Sequence, residues 1–528
     1  MIRITIDNTT MSVPEGITVL QAAELAGISI PSMCYREGYG NHPSCMVCMV
    51  KDRNTGTFFP SCATEIRDGM DVVTKDEDVN NARKDALELL LSDHVGDCEA
   101  PCSLACPAGM NIPLMNRLIT RNDFAGSLRV VKQEIALPYV LGYICSAPCE
   151  KACRRKQVDS PVSICLLKRF VAADDINSTR YYLPSKEPST GKKVAVIGTG
   201  PAGLAAAYYL LQKGHRSVLY DEKEKAGGAL RYSIPEEELP RSVLDAEIRL
   251  ISDFGAEFRL GVLVTEELYI SGIKPGYDAV ILATGDVSVD GHLLSLFHST
   301  KSGIAVTEGT YETSEQGVFA CGSILRPQWM AIRAAAQGKA AAISADRFLK
   351  GLKPVKARKR FNSRFEKLAE PEFAEYLKES IPGERIQPMG GLLAGFTADE
   401  VVREAARCLH CDCRKAEDCK LRDYADQYAA DRRKYGTGER NSMVKYFDQG
   451  RVVYEPEKCI RCGLCIDITV KRGEITGLAF TGRSFDVRMT VPFSLPISAG
   501  LTQSADECVE SCPTGALAFK TDQTYTKP

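Results

Sequence analysis

The sequence has one tryptophan and six histidines among 528 residues, and neither sign of charge dominates, with 66 Lys and Arg against 68 Asp and Glu. That balance excludes the basic face of a general nucleic-acid binder and a polybasic membrane anchor. No apolar run approaches the ~18 residues that would cross a bilayer, so no membrane span is expected. The opening MIRITIDNTT lacks a basic stretch followed by an apolar one, so no secretory leader is expected. There is no GxSxG elbow and no HExxH helix, and no catalytic residues are assigned. Cysteine is what the chain has in excess, with 21. Secreted disulfide scaffolds are short, so thiols clustered in a chain of this length point to a reducing, cytoplasmic compartment and to metal.

The cysteines stand at 34, 45, 48 and 62; at 98, 102 and 106; at 145, 149, 153 and 165; at 408, 411, 413 and 419; and at 459, 462, 465, 508 and 512. Between 166 and 407 only Cys321 interrupts a thiol-free stretch. A non-metal cofactor is expected there. At about 150 residues per domain the length allows three or four domains. Ile2, Ile4 and Ile6 alternate as a strand, Thr10 to Val13 begin a second, and Thr18 to Ala26 read as a short helix. Residues 80–92, NNARKDALELLLS, have helical spacing. Polar segments at 177–193 and 350–360 read as linkers. The second is basic, either a solvated surface or a docking site for an acidic partner.

The spacing Cys34-x10-Cys45-x2-Cys48-x13-Cys62 sets three ligands on one loop and the fourth beyond it, able to wrap a 2Fe-2S rhomb with two thiolates per iron. Zinc knuckles usually pair two tight turns, and only one C-x2-C pair occurs here. This segment resembles the N-terminal 2Fe-2S domain of the large iron-sulfur subunit of respiratory NADH dehydrogenase and of iron hydrogenases, over about the first 90 residues. A β-grasp domain over 1–92 is the implied fold.

The runs HVGDCEAPCSLACPAGMNIP and GYICSAPCEKACRRKQVDSPVSICLLKRF resemble the two-cluster helical domain of the glutamate synthase small subunit and of dihydropyrimidine dehydrogenase. The resemblance implies a helical domain over 93–180 with two 4Fe-4S clusters. Cys98, Cys102 and Cys153 would serve one, and Cys106, Cys145 and Cys149 the other. Each set lacks one ligand. His94 stands where that family usually has its first cysteine, and Cys165 near where it has an unusual non-cysteine ligand, so the two are candidates to complete the count. A lone histidine is more often a core or surface residue, and imidazole ligation of iron is the uncommon alternative.

From 190 to 350 a dinucleotide fold is expected. KKVAVIGTGPAGLAAAYYLLQKGHRSVLYDE carries a strand at Val194 to Ile197, the turn Gly198-Thr199-Gly200-Pro201-Ala202-Gly203, an Ala-rich helix, and a strand ending at Asp221. The glycines admit a pyrophosphate to the helix N-terminus, and Asp221 can accept a ribose hydroxyl. The later segments AGGALRYSIPEEELP, YDAVILATGD and GVFACG resemble the FAD-contacting segments of the glutamate synthase small-subunit family. By position they imply Gly227, Gly228 and Arg231 near the flavin, Thr284 and Gly285 at the returning strand, and Gly322 at the last loop. Ser323 replaces the family's aspartate. Only 31 residues separate Gly285 from Gly317, where that family inserts an entire NADPH domain, and no second GxGxxG exists. A βαβ unit alone takes about 30 residues, so no nicotinamide site of the family's kind is expected.

Residues 351–440 form a linker bearing RCLHCDCRKAEDCKLR, whose Cys408, Cys411, Cys413 and Cys419 fall within 12 residues. A zinc ribbon separates its two knuckles by more, so an iron-sulfur cluster is favoured. A ferredoxin-like domain is expected over 441–528, with Cys459, Cys462, Cys465 and Cys512 as one 4Fe-4S site, the last followed by Pro513 as in two-cluster ferredoxins. Its second site is broken: Thr469, Thr502 and Ala505 replace thiols, leaving Cys508 spare. The expected fold is multidomain α+β and α/β. The expected cofactors are FAD, one 2Fe-2S cluster and three to four 4Fe-4S clusters, with Cys321 and Cys508 unligated. Such a chain reads as an electron-transfer subunit of an anaerobic, cytoplasmic oxidoreductase. Its expected partners are an NADH-oxidising flavoprotein and either ferredoxin or a terminal enzyme. A self-contained NAD(P)H oxidoreductase is the alternative, and a scaffold with a vestigial FAD fold a third reading.

Overall fold

A computed structural model describes residues 1–520 except 179–180, 287–292, 366, 437, 439 and 449. The chain divides into two compact units. One comprises Met1–Ala100, Lys359–Ser380 and Leu409–Pro528, the other Pro101–Arg358 and Ile381–Cys408.

The first unit opens with strands Ile2–Ile6 and Thr9–Val13, joined through Asp7 and Asn8, both at positive φ. That is the backbone a two-residue hairpin turn demands. These two strands join Met49–Asp52, Phe58–Pro60 and Met70–Val73 in one mixed sheet. Alternation buries Ile4, Ile6 and Val13 against Val50, Val72 and the helix Val19–Leu25. Thr18 and Gln21 form a capping box at that helix's start. The next helix runs Glu77–Ser92, earlier than its apolar spacing suggests, because Asp76 caps it at Val79 N. Strands Tyr446–Phe447, Val452–Tyr454 and Leu517–Phe519 make a small antiparallel sheet near the other end of the chain. Helices Leu464–Lys471 and Ala505–Ser511 contribute Ile468, Cys508 and Val509 to its core.

The second unit begins with helices that include Ile112–Ile119, Phe124–Glu134, Pro138–Ile144 and Ile164–Ile176. A parallel five-stranded sheet follows, in the order Val318–Ala320, Ala279–Leu282, Lys193–Ile197, Arg216–Asp221, Glu257–Leu260. Near-continuous apolar strands such as KVAVI and AVIL are what a sheet covered on both faces requires. The strands Ala279–Leu282 and Val318–Ala320 are direct neighbours. Among the described residues between them, the regular structure is a single turn at Leu294–Leu296 and the hairpin of Ser299–Thr300 with Gly303–Ile304. Residues 381–408 are tied in by buried charge. Arg407 donates to Glu404 at 2.8 Å and Asp159 at 3.0 Å, and Arg155 donates to the Arg407 carbonyl at 2.8 Å. Among the described residues no helix is long and apolar enough to cross a membrane.

Candidate iron-sulfur and dinucleotide sites

In the first unit Cys34, Cys45, Cys48 and Cys62 are all buried and within reach of one another's protons. Hydrogen bonds from Cys45 and Cys62 hold the Cys34 thiol far below its usual range and push those two donors up, while Cys62 holds Cys48 down to about 7. Four mutually bonded sulfurs in an apolar shell suit a cation that replaces the shared protons. Among the described residues no three His, Cys, Asp or Glu side chains are placed to hold a single ion. A 2Fe-2S rhomb does not ask for that, since it divides its thiolates between two irons.

The loop between Cys34 and Cys45 is fastened to the last part of the chain. Arg36 pairs with Glu507 at 3.0 Å, Lys471 donates to the Gly38 carbonyl at 2.9 Å, and Tyr39 donates to Glu507. There Cys459, Cys462, Cys465 and Cys512 line one cavity with Tyr454, Leu464, Phe480 and Pro513. The expected 4Fe-4S ligands thus surround a common space. At the broken second site Thr469 is fully buried and donates to the Ile466 carbonyl at 2.8 Å. Glu474 there collects Thr502 Oγ1, Gln503 N and Ser504 N. These bonds outweigh its burial and hold its carboxyl down to about 2. Cys508 is buried, with its Sγ 3.6 Å from the Cys465 carbonyl. A single apolar cluster contains Cys34, Cys45, Cys419 and Cys462. His94 is half-buried, with its Nδ1 enclosed and without a hydrogen-bond partner among the described residues. Burial, then the charges of Lys458 and Arg432, lower it to about 3, so it is a neutral imidazole. It lines a cavity with Lys458, Cys459 and Arg461.

In the second unit the charges of Cys165, Cys145, Cys149 and Cys106 act on the buried Lys168, whose Nζ donates to the Leu141 carbonyl at 3.2 Å. Burial opposes the charge on this lysine, but the four sulfurs outweigh it and raise its pKa. Cys165 is bonded to both Cys145 and Cys149, and so joins them as the resemblance allowed. Glu150 clamps the loop, accepting from Cys165 N at 2.9 Å and from Arg385 at 2.7 Å. Cys102 and Cys153 also belong to this unit, whereas Cys98 belongs to the other. Cys408 likewise falls in the second unit, apart in the chain's division from Cys411, Cys413 and Cys419. Lys168 and Glu150 escaped the sequence reading. Its one signal was a lysine three residues after a cysteine in the otherwise apolar start of ICLLKRFVAA.

The glycine segments converge as their order suggests. A Cβ on Gly203 would lie 1.9 Å from the Gly198 carbonyl oxygen, and one on Gly198 would lie 2.2 Å from that of Ala283, beside Thr284. Gly228, at φ +51°, would meet the Gly200 Cα at 2.7 Å. Around Gly200 itself no described residue lies within 4 Å of such an atom, so the turn presents an open cradle beside the N-terminus of the helix Pro201–Gln212. Asp221 accepts from Thr199 N at 2.8 Å and Thr199 Oγ1 at 2.6 Å through one oxygen, and from Lys223 N through the other. The second oxygen keeps a lone pair for a hydroxyl. Arg231 is engaged by the Ala226 carbonyl and by Asp245. Gly322 N donates to Gln337 at 2.9 Å, and Ser323 Oγ donates to the Gln328 carbonyl at 3.4 Å. Gly285 takes positive φ at +98°. The residues fit a dinucleotide along the first turn. At the last loop the groups expected to meet it already have protein partners.

Three family models match in series: a 2Fe-2S iron-sulfur cluster binding domain over residues 1–77, dihydropyrimidine dehydrogenase domain II with a 4Fe-4S cluster over 77–180, and an NAD(P)-binding Rossmann-like domain over 196–260. The class so defined is an iron-sulfur protein with a dinucleotide-binding domain, of the kind built into oxidoreductase subunits. Among its relatives, the NADP(+)-dependent formate dehydrogenase subunit beta of Moorella thermoacetica is 37% identical over 35% of this chain and 29% of its own length. The NADPH-Fe(3+) oxidoreductase subunit beta of Geobacter sulfurreducens is 37% identical over 35% of this chain and 28% of its own. The glutamate synthase [NADPH] small chain of Mycobacterium tuberculosis is 34% identical over 36% of this chain and 39% of its own. The chain therefore spans well under half the length of these relatives.

Proposed function

We propose that this chain is an electron-transfer subunit that relays electrons between an NADH-oxidising partner and ferredoxin or a terminal oxidoreductase, through FAD and several iron-sulfur clusters. One observation carries the reading. The strands Ala279–Leu282 and Val318–Ala320 are adjacent in the sheet, and the 31 residues between Gly285 and Gly317 are far too few for a second dinucleotide domain. A flavin on the Gly198–Gly203 turn would then exchange electrons with clusters or a partner in place of a hydride donor bound beside it. The clusters supply one-electron and the flavin two-electron exchange. The chain supplies burial and position. Cys34, Cys45, Cys48 and Cys62 would hold the 2Fe-2S cluster. Cys459, Cys462, Cys465 and Cys512 would hold one 4Fe-4S cluster, and Cys106, Cys145, Cys149 and Cys165 another. Splitting of electron pairs at the flavin is an extension of this reading, tested by spectroelectrochemistry. Two equally high one-electron potentials would rule it out.

The second reading is a self-contained NAD(P)H oxidoreductase, favoured by the match of residues 196–260 to a domain described as NAD(P)-binding. One anaerobic experiment separates the two. The reconstituted chain is assayed for flavin and iron, then mixed with NADH or NADPH while flavin and cluster absorbance are followed. Bleaching by dithionite alone is expected of a relay. Rapid bleaching by either nucleotide makes the chain itself the dehydrogenase.

A further inference from the structure

Cys98 and Cys413 come from two cysteine runs at opposite sides of the thiol-free stretch, yet their backbones are bonded: Cys413 N donates to the Cys98 carbonyl at 3.1 Å. The 361–365 segment and Arg422 brace this contact. Ser363 N donates to Cys98 Sγ at 3.4 Å, the kind of amide bond that supports a thiolate. Arg422 is buried and donates to the Phe361 carbonyl at 2.7 Å, to the Ala416 carbonyl at 2.9 Å, and to the Glu99 carboxylate. One guanidinium thus holds the neighbour of Cys98 and the loop between Cys413 and Cys419. Phe365 N donates to Asp97 at 2.8 Å.

The thiols of Cys98, Cys413 and Cys419 are almost fully buried, at 8%, 7% and 6% exposure. Cys413 Sγ lies so close to Gly515 that a Cβ there would stand 2.2 Å from it. The Cys413–Cys419 loop is also pinned to the Cys512 segment. Lys415 Nζ donates to the carbonyls of Val509 and Cys512, both at 2.8 Å, and Leu421 N donates to the Pro513 carbonyl at 3.4 Å. Cys419, at the end of that loop, shares a buried apolar cluster with Cys462, so the loop carries its thiols to the side of the C-terminal cysteines.

We infer that Cys98, Cys413 and Cys419 ligate one iron-sulfur cluster of their own, assembled from both cysteine runs and standing next to the Cys459, Cys462, Cys465 and Cys512 site. This differs from the ligand set that the family resemblance implies, which groups Cys98 with Cys102 and Cys153. It rests on the iron-sulfur reading proposed above. Lys415 Nζ reaches the Cys512 carbonyl, and Cys419 shares one apolar cluster with Cys462 and Cys34, so the new site stands beside both the C-terminal site and the 2Fe-2S site.

The test is a ligand cycle on the full-length reconstituted chain: Cys98→Ser, Cys413→Ser and the double variant, with iron and zinc counted and low-temperature EPR recorded. One shared cluster predicts that each single variant loses ~4 iron atoms per chain and the same EPR signal, and that the double variant loses no more. A double variant that loses ~8 iron atoms, or single variants that lose none, would overturn the assignment. So would zinc, not iron, leaving with Cys98. If the serine variants do not fold, Cys98→Asp and Cys413→Asp each keep an anionic ligand. Both should shift the g values of one and the same signal, and shifts on two different signals would refute the shared site. A parent chain that binds no iron would instead defeat the iron-sulfur reading itself.

Discussion

Two alanine substitutions three residues apart should have opposite consequences. In Gly203→Ala the new methyl would stand 1.9 Å from the Gly198 carbonyl oxygen, well over 1 Å inside van der Waals contact. The helix Pro201–Gln212 must then lift from the strand Lys193–Ile197. Overpacking of a tight site costs about 1–3 kcal/mol, against at most about 1 kcal/mol gained from alanine's helix propensity. A net loss of about 1–2 kcal/mol lowers the melting temperature of a domain of this size by roughly 2–8 °C. In Gly200→Ala, φ is −72° and nothing lies within 4 Å of the methyl. Stability should stay within about 0.5 kcal/mol of the parent. The methyl would occupy the open cradle where a pyrophosphate would lie, so dinucleotide affinity should fall at least tenfold, about 1.4 kcal/mol. Scanning calorimetry reads the first effect, and flavin retained after desalting, with titration of added FAD, reads the second. If Gly200→Ala holds its dinucleotide as tightly as the parent, this turn is not the binding site. If Gly203→Ala melts with the parent, the close approach does not constrain the fold.

Three other outcomes are expected. Glu247 is buried and accepts from Tyr139 N and Val140 N, and burial raises its carboxyl from 4.5 to about 7. The folded state then binds a proton that the unfolded chain gives up. This stabilisation, worth ~3 kcal/mol at 1.36 kcal/mol per pH unit, is complete below pH 4.5 and lost as pH rises through 7. Hydrogen-exchange protection of helix Pro138–Ile144 should therefore fall across that window in the parent and stay flat in Glu247→Gln; equal slopes would refute it. Cys321→Ser and Cys508→Ala should leave the iron content unchanged, because Cys321 is fully buried in the Rossmann sheet region and Cys508 sits in a packed core; loss of iron would make either one a ligand. Cys165→Ser should remove the same visible and EPR signal as Cys145→Ser, and two distinct losses would dissolve the group around Lys168.

Much of this molecule was legible one segment at a time. Period-two alternation at Ile2, Ile4 and Ile6, the short helix read over Thr18 to Ala26, and the strand-turn-helix-strand run to Asp221 all depend on neighbours in sequence, and each element stands within a residue or two of its expected place. The helix Glu77–Ser92 began early because a cap, not apolar spacing, sets a helix start. The thiol groups were legible where one loop supplies most ligands, as at Cys459, Cys462 and Cys465. The juxtaposition of Cys98 with Cys413 was not, because no local pattern encodes a contact across the whole central stretch. Lys168 was hidden for a related reason. Only the three-dimensional grouping of four thiols distinguishes it from any helix lysine.

The first unit draws on three separate stretches of chain, 1–100, 359–380 and 409 onward, whereas the second is nearly continuous. During synthesis the two should therefore mature out of sequence order. Residues 101–358 can collapse around their own parallel sheet while the ribosome is still working. The amino-terminal hundred must wait for Glu507 to emerge before Arg36 and Tyr39 have anything to grip, and for Leu421 and Leu464 before the shell around Cys34 can close. A chain cut short before Glu507 would thus do its harm around Cys34, leaving bare thiols that were translated hundreds of residues earlier.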